Sequence, residues 1–345
     1  MLKDFKTEDE VMQHFIATNQ KIIIFQGTVY DVTEYAKSHP GGEDLIEEYY
    51  GKCIDEPFED NGHTASARLV FRDLEKVGYI VGDEKQKGCD LGATGDKPIP
   101  TGLDGFQLKS TLKIDYSKGL YKQMLEANLS WDDYITFINE PKHLVNPIRD
   151  VKLFENQFFE LFTMTPWYFI PIAWFVPLVY HTFFENPQPL AFTLAMVFAG
   201  IFAWTFTEYI LHRFFFHSED YWLPNHPMVL AHHFMLHGIH HAFPMDRYRL
   251  VFPVLPGYLI MYGIIFSVTK ALVPDLYRSQ LQGGIILGYI LYDLIHYFLH
   301  HSSPKRGYFK NLKVYHMQHH YKNGTQGFGV SNKFWDYVFQ SQIRN

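Results

Sequence analysis

The sequence predicts a multi-domain chain: a small α+β domain, then an all-α integral membrane domain with four transmembrane helices and a cytosolic histidine-rich cap. Three observations carry this. Mean hydropathy is −0.14, yet polarity is uneven: residues 1–160 are polar and charged, and long charge-free runs follow. Those runs are long enough for helical spans. And 14 of the 19 histidines lie between His212 and His320, in tight clusters at the ends of the expected spans.

The charge-free runs are Leu161–Phe184, Asn186–Thr207 and Leu250–Thr269, with a fourth from Leu281 to Tyr292 that continues past Asp293 and His296. A bilayer core about 30 Å thick needs about 20 apolar residues per helix. With a cytosolic N-terminus, two helical hairpins return every histidine cluster to the same side. That side also holds Arg213, Arg247, Arg249, Lys305, Arg306 and Lys310, as the positive-inside tendency requires.

A length of 345 residues suggests about two domains. The net charge of −7 gives no reason to expect a nucleic-acid partner. Cys53 and Cys89 have no metal-ligand spacing, and free thiols in a reducing compartment are expected. The opening MLKDFKTEDEV lacks an apolar core, so no signal peptide is expected. The organisation reads as a compact module over 8–83, a flexible linker over 84–112 rich in Gly, Lys and Asp, a membrane-proximal cytosolic helical segment over 113–160, and the membrane domain over 161–345.

The histidine clusters are His212 with His217; His237, His240 and His241; His296 with His300; and His316, His319 and His320. Imidazole is the commonest metal side-chain ligand, and one ion takes about four to six donors. Ten histidines are too many for one ion and suit two. On a helix, residues spaced i, i+3 and i+4 share a face, which brings each His-x2-His-His set together. His212 and His217, five apart, point about 140° apart on a regular α-helix. Either the helix ends between them or each serves a different ion. Tyr292 and Asp293 are candidates for lining the cavity or holding a ligand imidazole. Glu208 is a candidate for the latter role, and His232, His233 and His301 for roles beside the ligands. An all-nitrogen site suits Zn, Fe, Cu or Ni.

Near the N-terminus, His39 stands before Pro-Gly-Gly in VYDVTEYAKSHPGG, and His63 lies in FEDNGHTASAR. Glycines in such a turn let backbone approach a flat cofactor. Over about residues 8–83 these motifs resemble cytochrome b5. The resemblance implies haem b with His39 and His63 as axial ligands. The tryptophan usual before the first core strand is replaced by Ile23, Ile24 and Phe25. A one-electron carrier tethered to a two-metal site reads as a redox pair. Zinc cannot change oxidation state, so iron is expected for catalysis, with zinc as a substitute in isolated protein.

The segments FTEYILHRFFFH, LHGIHHAFPMDRYRLVFPV, GYILYDLIHYFLHH and HMQHHYKNGTQGFGVSNKFWDYVF resemble the cytochrome b5-fused fatty acid 2-hydroxylases of the fatty acid hydroxylase superfamily. The resemblance implies two metal ions on His212, His217, His237, His240, His241, His296, His300, His316, His319 and His320. It implies O2-dependent hydroxylation at C2 of long or very long acyl chains of sphingolipids, in the endoplasmic reticulum membrane, with electrons from NADH–cytochrome b5 reductase. Three rival functions share parts of this pattern. Front-end desaturases share the haem module but carry three histidine boxes, often with Gln opening the last; here there are four clusters and His316 opens the last. The second rival is hydroxylation of a sterol or sphingoid base. The third is non-enzymatic, a membrane-anchored haem electron carrier.

Overall fold

The computed structural model describes residues 2–61, 63, 65–81, 114–127, 129–142 and 151–343; the expected linker at 84–112 lies outside them. The N-terminal part is built on strands β1 (Lys3–Phe5), β2 (Ile22–Phe25), β3 (Thr28–Asp31) and β4 (Lys76–Ile80) in the order β1-β4-β3-β2. β1 pairs with β4 in parallel; the other pairings are antiparallel. Gln26 and Gly27, at φ 49° and 73°, turn β2 into β3, the two-residue hairpin whose twist matches its strands. All four residues of β2 are buried because the sheet is covered on both faces. Ile23 and Phe25 join Tyr30, Phe58 and Phe71 on one face; Ile22 and Ile24 join Phe5, Val11 and Val29 on the other. Helix α1 (Glu8–Thr18) starts at Thr7, whose hydroxyl accepts the Glu10 N–H. Helices α2 (Glu43–Glu47), α3 (Asp55–Asp60) and α4 (Ala65–Val70) wall the histidine pocket.

The expectation of free thiols is corrected at Cys53, which is disulfide-bonded; Cys89 lies outside the described residues. Distance in sequence does not exclude a bond, since pairing requires Cα atoms within bonding range in the fold.

Helices α5 (Leu120–Glu126) and α6 (Trp131–Ile138) follow. Leu120, Met124, Tyr134 and Phe137 pack against Leu230, Phe234 and Ile239, so this segment braces the later histidine-bearing helices. The remaining helices are α7 (Gln157–Leu161), α8 (Phe169–Val179), α9 (Leu190–Leu211), α10 (Pro227–His233), α11 (Ile239–Ala242), α12 (Val254–Ile260), α13 (Phe266–Leu272), α14 (Asp275–His301), α15 (Tyr308–Tyr321) and α16 (Phe334–Val338). Wide π-turns extend α8 and α9 and join α10 to α11 and α12 to α13.

Two helical stretches are long and apolar enough to cross a membrane: Leu190–Phe216, with 27 residues, and Val254–Leu272, with 19. Only 17% and 22% of their apolar windows are buried, and Phe198, Leu259 and Leu272 face outward. Apolar helices with outward-facing aromatic and aliphatic side chains suit lipid, not a soluble core. The first expected run does not form one helix. It breaks after Leu161, passes Pro166 and restarts as the 16-residue stretch Phe169–Phe184, about 24 Å at the helical rise. The fourth forms α14, 27 residues long and about 40 Å. Its buried Gln280, Gln282, Asp293 and His296 lower its apolarity because it stands inside the bundle.

α9 and α14 touch at glycines. A Cβ at Gly284 would lie 2.3 Å from the Val197 carbonyl, and one at Gly200 2.2 Å from that of Leu281. Small residues allow such approach between helices in lipid. Gly284→Leu is expected to destabilise the detergent-solubilised protein by roughly 1–3 kcal/mol, as overpacking does. Gly263, with nothing within 4 Å, is the control: Gly263→Leu is expected to leave the thermal midpoint unchanged.

Candidate metal centre

The ten clustered histidines converge. His240, His296, His300, His316 and His320 form one group, and His212, His217, His237 and His241 a second; within each, one nitrogen per ring lies within 4.8 Å of the others. His319 joins the second, its Nε2 3.1 Å from His217 Nε2. The two His-x2-His-His sets therefore divide. α15 sends His316 and His320 one way and His319 the other, while His240 parts from His237 and His241. α14 serves the first group alone, and the end of α9 the second alone.

His212 and His217 share a group because the helix widens. The His217 N–H reaches the His212 carbonyl at 3.0 Å, closing a π-turn over His212–Phe216. Such i→i+5 turns are uncommon and frequently found at functional sites, and this one brings the two rings to 5.0 Å.

Hydrogen bonds fix which ring nitrogens are free. His212 Nδ1 donates to the Phe328 carbonyl at 2.6 Å, His296 Nδ1 to Leu250 at 2.8 Å, and His319 Nδ1 to Gln326 at 2.7 Å. A carbonyl only accepts, so in the neutral ring Nε2 carries the lone pair. His217 Nδ1 faces Glu219 at 3.0 Å. A carboxylate also only accepts, so in the neutral His217 ring the Nε2 lone pair is turned toward that of His319. Neighbouring Nε2 pairs lie 2.9 Å apart (His300, His316), 3.1 Å (His316, His320) and 3.3 Å (His217, His237). Two metal–nitrogen bonds of about 2.0–2.1 Å at tetrahedral or octahedral angles separate their nitrogens by roughly 2.9–3.4 Å. Among the described residues, neither ring nitrogen of the buried His240 has a hydrogen-bond partner. The donor set fits two cations.

Burial pushes His237, His240, His241, His316 and His320 well below the ordinary histidine range. His319 falls to about 3, through burial first and His217 second. These rings are neutral, as ligation requires.

The N-terminal pair also fits its group. His39 Nδ1 donates to the Gly42 carbonyl at 3.0 Å and His63 Nδ1 to Phe58 at 2.8 Å, so in each neutral ring Nε2 carries the lone pair. Their ring centroids are 6.2 Å apart; two axial bonds of about 2 Å plus two half-rings make roughly 6 Å. Gly42, at φ +108°, turns the chain where a side chain would be strained. Between the rings lies a cavity of about 230 Å³ walled by Val32, Ile46, Phe58, Val70 and Phe71.

Comparison with known proteins agrees with this geometry. Residues 7–84 match the cytochrome b5-like haem/steroid binding domain, and residues 196–341 match the fatty acid hydroxylase domain. A ceramide very long chain fatty acid hydroxylase of Saccharomyces cerevisiae is 34% identical, covering 96% of this chain and 93% of its own. A fatty acid 2-hydroxylase of Mus musculus is 33% identical, over 92% and 89%. A solved structure titled full-length scs7p, with only the hydroxylase domain visible, is 39% identical, with a TM-score of 0.61, covering 67% of this chain and 86% of that one. The chain belongs to the fatty acid hydroxylase family.

In this hydroxylase, several supports of the ligands have no sequence signature. Glu219 takes His217 on one side and His233 Nε2, at 2.8 Å, on the other. Burial alone would raise Glu219, but the two histidines outweigh it and hold the carboxyl well below the usual carboxylate range. His233 therefore backs a ligand at one remove. His232 is exposed and bonds the Met228 carbonyl, and His301 lies against Tyr297; neither joins the ligand groups. Asp336 accepts from the Phe328 and Gly329 N–H groups, fixing the loop whose carbonyls orient His212 and His319. Tyr292 stacks on His296 at 6.0 Å, while Asp293 accepts the Phe252 N–H at 3.2 Å, taking backbone in place of the anticipated imidazole. Glu208 likewise binds Ser331 and no histidine. A second cavity, of about 450 Å³, opens on His212, His237, His240 and His296; Tyr292 and Asp293 line it, with apolar walls including Phe216 and Phe252.

Glu219→Gln is expected to weaken metal binding by about 10–100-fold, the usual cost of losing such a support, measured by competition with a chelator. Acid acts in a defined direction. These histidines have folded pKa values below the unfolded value of about 6.5, so the unfolded chain binds more protons below that pH. Stability and metal retention are expected to be full above about pH 7 and to fall steadily as pH drops through 6.5 toward 4. Thermal unfolding and released metal, followed across that range, check both.

Proposed function

We propose that this chain is a membrane-bound dimetal monooxygenase that hydroxylates C2 of long or very long acyl chains used in ceramides, with electrons from its own haem domain. One observation carries the reading: both histidine groups lie at the end of an apolar cavity of about 450 Å³. The names of the relatives, a ceramide very long chain fatty acid hydroxylase and a fatty acid 2-hydroxylase, give the substrate class and the position oxidised.

When bound, the two metal ions, iron in this reading, supply O2 activation, and the haem supplies electrons one at a time. The protein's share is placement. Phe216, Leu236, Phe252 and Leu255 take the methylene chain out of water and hold C2 beside the histidine groups; such positioning converts a bimolecular encounter into an oriented one. Tyr292 and Asp293 narrow the end of the cavity. Asp293 Oδ2 has no hydrogen-bond partner among the described residues, and it can accept from a polar group at the carboxyl end of the acyl chain. The apolar walls keep water from the reacting carbon.

In this reading Phe169–Phe184 and α14 complete four crossings with the two long apolar stretches, Phe169–Phe184 sitting short in the bilayer. Both histidine groups and the haem domain face the cytosol of the endoplasmic reticulum, where NADH–cytochrome b5 reductase supplies electrons. The unit boundaries follow as 8–83, 84–112, 113–160 and 161–345.

Expression in cells lacking 2-hydroxylated sphingolipids, read by lipid mass spectrometry, tests this. The intact chain is expected to restore 2-hydroxy acyl chains, and His39→Ala with His63→Ala to reduce them severalfold or more. New double bonds instead would indicate desaturation. No lipid change, with haem and metal both bound, would overturn the assignment.

A further inference from the structure

The haem cavity is not walled by the N-terminal domain alone. Pro141, then Val314, Met317, Gln318 and Tyr321 from α15, and Lys322 just after it, complete it. α15 is the helix that carries His316, His319 and His320. At about 100° per residue, Val314, Met317, Gln318 and Tyr321 form one stripe, and the three histidines centre on the opposite side. One helix, about 10–12 Å across with its side chains, thus separates the two cofactor sites.

Charge fits the same contact. Residues 43–60 hold eight acids and one lysine; residues 305–322 hold Lys305, Arg306, Lys310, Lys313 and Lys322 and no acid. Lys310 Nζ meets Asp44 at 2.9 Å, and a Cβ on Gly42 would lie 3.8 Å from the Ser303 hydroxyl. Lys313 turns back and donates to the carbonyls of His300 and Ser302, tying α15 to the α14 end that bears the ligand His300.

We propose that α15 is a two-faced docking helix: its Val314–Met317–Gln318–Tyr321 stripe seats the haem side of the N-terminal domain, and its opposite face holds metal ligands, making this docked arrangement the electron-delivering one. The inference rests on the reading of the histidine groups as a redox metal pair. Each docking passes one electron as haem iron goes from Fe(II) to Fe(III). Two such events, with two protons, reduce one O2 as C–H becomes C–OH and water leaves. A reductase that draws on NADH restores the haem. The acidic rim and basic helix steer the encounter, so it is sensitive to salt.

The full chain, with haem and metal contents verified, is the test object. A zero-length carbodiimide, which joins an amine to a carboxylate in contact, is expected to link Lys310 to Asp44, read by peptide mass spectrometry. In stopped flow, the pre-reduced chain mixed with acyl substrate and O2 is expected to re-oxidise its haem at least tenfold more slowly in Val314→Asp. It is expected to slow severalfold in Lys310→Glu, with recovery in Lys310→Glu plus Asp44→Lys. Wild-type haem that stays reduced would overturn the redox reading itself. Rapid wild-type re-oxidation that the substitutions leave unchanged, without the cross-link, would overturn the docking surface alone.

Discussion

Facing lone pairs are the constraint on which the rest of the hydroxylase domain depends. Ten imidazoles are buried at the ends of α9, α11, α14 and α15, and the backbone carbonyls of Phe328, Leu250 and Gln326 hold protons on the outward nitrogens of three of them. The inward Nε2 of His319 then meets that of His217 at 3.1 Å. Cations bound between the rings would hold such nitrogens together. The π-turn at His212, the division of each His-x2-His-His set between two groups, and the Asp336-held loop all place inward nitrogens.

The helical bundle provides this burial. α14 stands at the centre, apolar toward Trp174, Trp204 and Met261, and reaches the histidine end with His296 and His300. Glycine contacts let α9 approach it closely, bringing His212 within range. Helices α5 and α6 press on α10 and on the π-turn carrying His237 from outside. The apolar cavity opens between α12, α14 and the histidine groups, where the proposed function seats the acyl chain.

Much of the site was legible in the chain because ligand spacing is local: His-x2-His-His and His-x3-His declare a shared helical face. The turn at His39 was legible in Pro40, Gly41 and Gly42, and it is part of the motif on which the expectation of haem ligands at His39 and His63 rests. What escaped depends on distant contacts. Glu219 looks like an ordinary acid after a helix until His217 and His233 close on it. Asp336 acts on a loop, and carbonyls of Leu250, Gln326 and Phe328 have no sequence signature. The five-residue gap between His212 and His217 left two arrangements open, since helix widening follows from packing. The spans were read from charge-free runs, which do not register the break at Pro166 or the polar residues that α14 buries. Cys53 was misread because pairing depends on spatial approach.

Metal stoichiometry tests the central claim most directly. Full-length protein purified without chelators, with haem measured by absorption and metals by mass spectrometry, is predicted to hold about two metal ions beyond the haem iron per haem, as two histidine groups require. His240→Ala should weaken one of the two, and His217→Ala the other. A single metal per haem, or two that survive both substitutions, would contradict the account.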